Sequence, residues 1–244
     1  MTKINRQSDF YKRVKALVES RKQRKRKRLR YVTAVDPGDT HMAVVKYDLR
    51  DKCVVDSALL DWRTLRKSDH SGAKAGSEQS AIMLTNKLIR KWKKRFFNTK
   101  KGFVLVEKQI SRFLLVFSIA LVTKCLRSSV FVVPRQVKSH FGYNSNQLQQ
   151  QQQHNSEKLN KYQLKKRQKE QAVHLAEGLP SKNDYDWLSA YKRKHDLGDC
   201  AAMCVFLSDV VHDVGQRCGG GGSVISSKKV VHWREPNLES VEEF

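Results

Sequence analysis

The spacing of hydrophobic positions changes several times along the chain, and each change marks an element. Residues 8–20 set Phe10, Val14, Leu17 and Val18 at helical spacing in a polar stretch. From Tyr31 the pattern turns to short β-rich runs, 31–35, 41–46 and 53–60, the first ending in Asp36-Pro37-Gly38 and the others joined by a polar turn around 48–51. Strands joined by such short turns predict an antiparallel meander. Residues 78–94 bring Ile82, Leu84, Leu88, Ile89 and Trp92 near one helical face. A wholly apolar strand, 102–106, then runs into Glu107. Ser111 is placed to cap a helix reaching about Leu126, and residues 129–133 form another apolar strand, stopped by Pro134.

Helical spacing returns at 162–177, breaks at Leu179-Pro180, and resumes in an apolar helix at 196–211. The most apolar stretch, residues 113–122 (FLLVFSIALV), is half the roughly 20 residues a bilayer crossing needs and reads as a buried helix face. No membrane partner is expected. A meander followed by strand–helix alternation predicts an α/β fold: a mixed five-stranded sheet, antiparallel and then parallel, flanked by helices.

Composition divides the chain into three parts. Residues 1–30 form a basic N-terminal arm, 31–213 the domain, and 214–244 a Gly-rich linker with an acidic tail. Residues 21–30 are eight-tenths basic, with Arg24, Lys25, Arg26, Lys27 and Arg28 at their centre. Such a run suits a phosphate-gripping arm or a nuclear-import signal. A Gln-rich insert, about 144–160, interrupts the domain.

The whole chain of 244 residues carries 48 Lys and Arg against 24 acids, a net charge of +24. A surplus of that size calls for an anionic partner, and nucleic acid is the usual one. Five scattered cysteines without a CxxC pair, and no secretory signal, point to an intracellular, reducing setting.

Against this background four acids stand out. Asp36 ends an apolar strand at an abrupt turn, although Asp before Pro-Gly also starts ordinary turns. Glu107 ends another, where a carboxylate is costly unless paired or bound to a cation. Asp196 and Asp199, three apart at a helix start, share one face with Cβ atoms about 5–6 Å apart. Acids in a first helical turn also simply favour the positive end of the helix. Together, on a basic chain, the four suggest a pocket of hard oxygen ligands for Mg²⁺ or Mn²⁺. Two such ions about 3.5–4 Å apart suit phosphodiester hydrolysis. Cys200, Cys204 and His195 are read as core thiols and a bystander rather than a metal set. His41 and His140 have no evident acidic partner.

These residues lie in blocks that resemble the RuvC-type Holliday junction resolvases. Ala34-Val35-Asp36-Pro37-Gly38 looks like the family's first strand. Val104-Leu105-Val106-Glu107-Lys108-Gln109 is similar to its second acidic strand. Val133-Pro134-Arg135-Gln136-Val137-Lys138 with Phe141-Gly142 resembles its P-x-x-V-K segment, and Lys169-Glu170-Gln171-Ala172-Val173 its K-x-Q-V helix. Asp196-Leu197-Gly198-Asp199-Cys200-Ala201-Ala202 is close to D-x-x-D-A-x-A, with Cys200 in place of the first alanine. The blocks keep the family's order over roughly residues 31–210, with a flavour nearest the resolvases of large DNA viruses or fungal mitochondria.

The resemblance implies an RNase H-like fold, a homodimer, and four-way DNA junctions as substrate. It implies Asp36, Glu107, Asp196 and Asp199 as Mg²⁺ ligands (Mn²⁺ substituting), Lys169 at the scissile phosphate, and Lys138 as a further phosphate contact. Lys165 or Lys166 are alternatives, since the Gln-rich insert separates blocks that usually lie closer. Phe141 and Tyr143 are candidates for stacking on junction bases. The setting implied is intracellular DNA, in a nucleus, viral replication compartment or mitochondrion. Two rival readings stay open: another RNase H-like nuclease, transposon-type or hybrid-specific, and a catalytically inactive DNA- or RNA-binding protein.

Overall fold

The computed structural model describes residues 4–23, 29–38, 40–61, 77–98, 102–125, 128–142, 161–182 and 186–217. Arg24, Lys25, Arg26, Lys27, Arg28, Tyr143, the Gln-rich insert up to 160 and the tail from 218 lie outside the described residues.

Side chains on a strand alternate between faces, and in β1 (Tyr31–Pro37) the alternation sorts residues into two layers. Val32 and Ala34 are buried in the layer with α1 (Asp9–Gln23) and α6 (Lys194–Arg217). Val35 is buried on the other face, against α2 (Glu78–Trp92) and α3 (Arg112–Lys124). β2 (His41–Asp48) pairs antiparallel with β1, and β3 (Cys53–Asp61) antiparallel with β2. On the other side of β1, β4 (Gly102–Glu107) runs parallel to it and β5 (Ser129–Val132) parallel to β4. The order is β3-β2-β1-β4-β5. Helix α3 supplies the long crossover that the parallel β4–β5 pair requires.

Pro134 ends β5 but also opens a helix that the sequence pattern does not reveal, α4 (Pro134–His140). Proline suits a first helical position because its missing N–H would have no partner there. Helix α5 (Lys161–Glu177) packs along α6, and the turn after it protects the sheet edge. There Val54 N donates to Pro180 O and Lys182 N donates to Val54 O, both at 2.8 Å, so the outer strand β3 is not left bare.

Three expectations need adjustment. The helix within residues 1–30, set apart from the domain in the sequence, packs into it: Phe10, Tyr11 and Val14 are buried, and Phe10 stacks on Phe206 of α6 at 5.1 Å. Few but well-spaced apolar side chains suffice to anchor an otherwise charged helix. Helix α6 continues to Arg217, past the expected boundary at 213. Ser111 stands at the N-cap of α3 but makes no side-chain cap hydrogen bond. The apolar run 113–122 does serve the core, with Leu114, Phe117, Leu121 and Val122 buried. No helix among the described residues is long and apolar enough to cross a membrane.

Candidate carboxylate site

Strand register and strand parity together bring the first two acids side by side. Val35 of β1 is level with Val106 of β4, so Asp36 and Glu107 are the next neighbours along the pair. Asp36 shares the parity of Val32 and Ala34, and Glu107 that of Phe103 and Leu105, all in the α6 layer. Both carboxylates therefore face the helix that carries Asp196 and Asp199. Helix α6 is seated on this face by buried residues: Cys200 and Cys204 point their thiols at the carbonyls of Ala43 and Val45, at 3.4 and 3.8 Å. These cysteines are core residues, and burial drives the Cys200 thiol pKa far up.

A single amide ties the strand acids together. Gln109 Nε2 donates to Asp36 Oδ1 at 3.1 Å and to Glu107 Oε2 at 3.3 Å. Asp36 and Glu107 also act directly on each other, as two carboxylates brought side by side at neighbouring strand ends must. Withdrawal from water is the largest cause raising the Asp36 pKa well above the usual range, followed by the bond to Glu107, its charge, and the charge of Asp196. Burial likewise raises Glu107. Asp199 is pushed up to about 7, first by burial and then by Asp36 and Asp196, while Lys138 and Lys169 pull it back. Acids from three elements thus feel one another's charge at one place.

Asp196 has its own partners. Arg193 Nε donates to its Oδ2 at 2.6 Å, and His195 Nε2 lies 3.1 Å from its Oδ1. Among the described residues, no three His, Cys, Asp or Glu side chains are gathered into a ready-made cation cage. The donor chemistry nevertheless fits a divalent ion. Carboxylate oxygens are the hard ligands that Mg²⁺ and Mn²⁺ select, and acids whose charge is opposed first by burial and then by one another are those a cation would relieve.

The lysines are placed by close helix packing. A side chain at Gly198 would put its Cβ 2.7 Å from the Ala172 carbonyl oxygen, so α5 meets α6 backbone to backbone there. One turn before Ala172, Lys169 is half-buried and acts on both Asp199 and His195. Lys165 and Lys166 are exposed, and Lys166 pairs with Glu170 at 3.9 Å. Lys138, on α4, acts on Asp199 and Glu107 and donates to Gln168 at 3.3 Å.

Phe141 is half-buried against the core and meets His140 edge-on at 4.9 Å, a packing position. His140 does have an acidic partner, Asp209 on α6 at 2.8 Å. Sequence reasoning quoted Gln109 only as part of a motif and passed over Arg193 altogether. Arg193, three residues before Asp196 in a run of basic residues, is too ordinary to attract notice. Ile110, next to Gln109, is 98 % exposed, the most exposed large apolar side chain described.

No protein-family model matches the sequence, and neither does any curated protein. Solved structures do. The yeast mitochondrial Holliday junction resolvase Ydc2 superposes with a TM-score of 0.52 at 12% identity, over 83% of this chain and 86% of that one. RuvC of T. thermophilus, solved in complex with a Holliday junction substrate, matches with a TM-score of 0.42 at 13% identity, over 78% of this chain and 96% of that one. The mixed sheet, its strand order and this likeness together give the chain the RNase H-like fold of the RuvC-type resolvases.

Proposed function

We propose that this chain is a divalent-metal-dependent endonuclease that resolves four-way DNA junctions. The observation that carries the reading is that Asp36 and Glu107, bridged by Gln109 at adjoining ends of β1 and β4, and Asp196 and Asp199 at the start of α6 act on one another's charge, on a chain of net charge +24. A structural neighbour of the same fold is a junction resolvase, which favours this substrate over a plain duplex or an RNA:DNA hybrid.

In this reading the four acids hold Mg²⁺, or Mn²⁺ in its place. Bound there, the ions would supply a lowered pKa for water and a counter-charge for the leaving oxygen. Gln109 keeps Asp36 and Glu107 together so that both present oxygens to one point. Lys169, held by the Gly198–Ala172 contact, offsets negative charge growing on the scissile phosphate, and Lys138 does so from the α4 side. Arg24, Lys25, Arg26, Lys27 and Arg28 add sequence-independent grip on the backbone, so affinity falls steeply with salt. Ile110, bare at the rim, is better exposed than Phe141 to meet bases; Tyr143 stays a stacking candidate by its place in the sequence. A homodimer with an isologous interface would match the near two-fold symmetry of a junction, one site per like strand.

The test is a labelled four-way junction incubated with and without Mg²⁺, beside duplex and hybrid substrates of the same sequence. Paired, symmetric nicks on the junction alone are expected. Asp36→Asn and Asp199→Asn should bind the junction and leave it whole. Cleavage retained by either purified variant would remove the carboxylate assignment. The alternative is a basic protein that binds branched DNA without cutting it, for which the net charge of +24 is enough. That reading is separated by junction binding with no Mg²⁺-dependent product.

A further inference from the structure

Within the acid cluster, Asp196 is the member with both oxygens already engaged by nitrogen. Arg193, the residue immediately before α6, donates from Nε to Oδ2 at 2.6 Å, and His195 Nε2 stands 3.1 Å from Oδ1. The same guanidinium reaches the sheet, where its Nη1 lies 3.5 Å from His41 Nδ1 at the start of β2. His41 Nδ1 in turn meets Thr40 Oγ1 at 2.7 Å. Arg193 therefore spans from the helix start to the sheet beside the cluster. It is 43% exposed, against 19% for Asp196, so the fixed positive charge sits over the acid from the solvent side.

A guanidinium cannot lose its proton under ordinary conditions, so this charge is permanent. Asp196 also acts on Asp36 and Asp199 through its charge. A cation resting on Asp196 therefore helps to hold acids together that would otherwise repel. The same charge opposes the arrival of a second cation at that carboxylate.

We infer that Arg193 is the built-in counter-ion of the metal-free site, and that a divalent ion gains Asp196 only by displacing it. This rests on the reading of the four acids as metal ligands. Arg193 then sets how tightly the site loads: weak on the resting protein, tighter once the side chain is drawn elsewhere. Its removal has an unusual sign, since deleting a polar contact from the cluster strengthens cation binding.

The test is Mn²⁺ alone, titrated by calorimetry into the full chain without DNA. Arg193→Gln is expected to bind the ion about five- to tenfold tighter than wild type, the range of a charge-assisted pair. Arg193→Lys, which keeps the charge, should stay nearer wild type than Arg193→Gln, and adding Asp196→Asn to Arg193→Gln should erase the gain. Equal or weaker Mn²⁺ binding by Arg193→Gln would overturn the inference, as would a gain that survives Asp196→Asn. A chain that binds no Mn²⁺ in any version would instead defeat the metal-ligand reading beneath it. Because Arg193 is partly exposed, Arg193→Gln leaves no cavity, so its circular dichroism spectrum should match wild type while its melt in EDTA falls slightly, the acids having lost a counter-charge.

Discussion

Gly198 and Ala172 meet where no side chain could stand: a Cβ on Gly198 would lie 2.7 Å from the Ala172 carbonyl oxygen. The glycine sits between Asp196 and Asp199, so the contact that closes α5 onto α6 also fixes Lys169 relative to the acids. Gly198→Ala forces backbone apart at this crossing, with an overpacking cost of about 1–3 kcal/mol. Chemical denaturation should report that loss. Junction cleavage should fall more than junction binding, because the lysine moves away while the basic surfaces remain.

Lys169 and its neighbours separate by burial. Lys169→Ala is expected to lower the cleavage rate by about 10²-fold or more, on the scale of losing an electrostatic contact to the reacting group. Lys165→Ala, at an exposed position, should change it little. Single-turnover rates at saturating junction decide the matter. Equal losses from the two would show that neither lysine has a special place.

Removing one acid should make the metal-free protein more stable while ending its chemistry. Burial and mutual charge raise Asp36, Glu107 and Asp199 together, so the cluster is strained at neutral pH. Asp36→Asn relieves that repulsion by on the order of 1–2 kcal/mol. Thermal melts in EDTA should rise relative to wild type, and the further rise that Mg²⁺ gives wild type should shrink in the variant. A lower melt in EDTA would mean that the carboxylate is needed as a hydrogen-bonding group more than it is harmful as a charge.

The N-terminal helix is locked to α6 by a pH-dependent contact. Arg6 Nη2 donates to Asp213 Oδ1 at 2.8 Å and Tyr11 donates to Oδ2 at 2.7 Å. The bond from Arg6 is the main reason Asp213 is lowered from the ordinary 3.8 to about 2. An acid depressed in the folded state stabilises fully above its unfolded value, and that gain is lost as pH falls from about 4 to about 2. Because Arg6 is half exposed, solvent screening leaves the gain well below the full value of the shift. Asp213→Asn should therefore be less stable than wild type in urea at pH 6, and the difference should close as pH approaches 2. A gap that persists unchanged at low pH would assign the loss to packing instead.

Much of the candidate site is legible along the chain because it follows from local periods. Two-residue alternation puts Asp36 with Val32 and Ala34, and Glu107 with Phe103 and Leu105. A spacing of three puts Asp196 and Asp199 on one helical face. Each of these relationships needs only the geometry of a single element. The sequence also shows the apolar runs that become β1, β4 and β5, and the surplus of positive charge that suits an anionic partner.

What lies between elements is not legible in this way. No period indicates that Arg193 turns back onto Asp196, that His140 finds Asp209, or that a charged N-terminal helix buries Phe10 and Val14 under α6. The sequence alone determined which residues share a face of their own strand or helix, since covalent geometry repeats at a fixed interval. Only the tertiary structure decided which faces meet, and so which charge rests against which acid. That depends on the docking of elements far apart in the chain, where one backbone contact such as Gly198 against Ala172 sets the distance for every side chain around it.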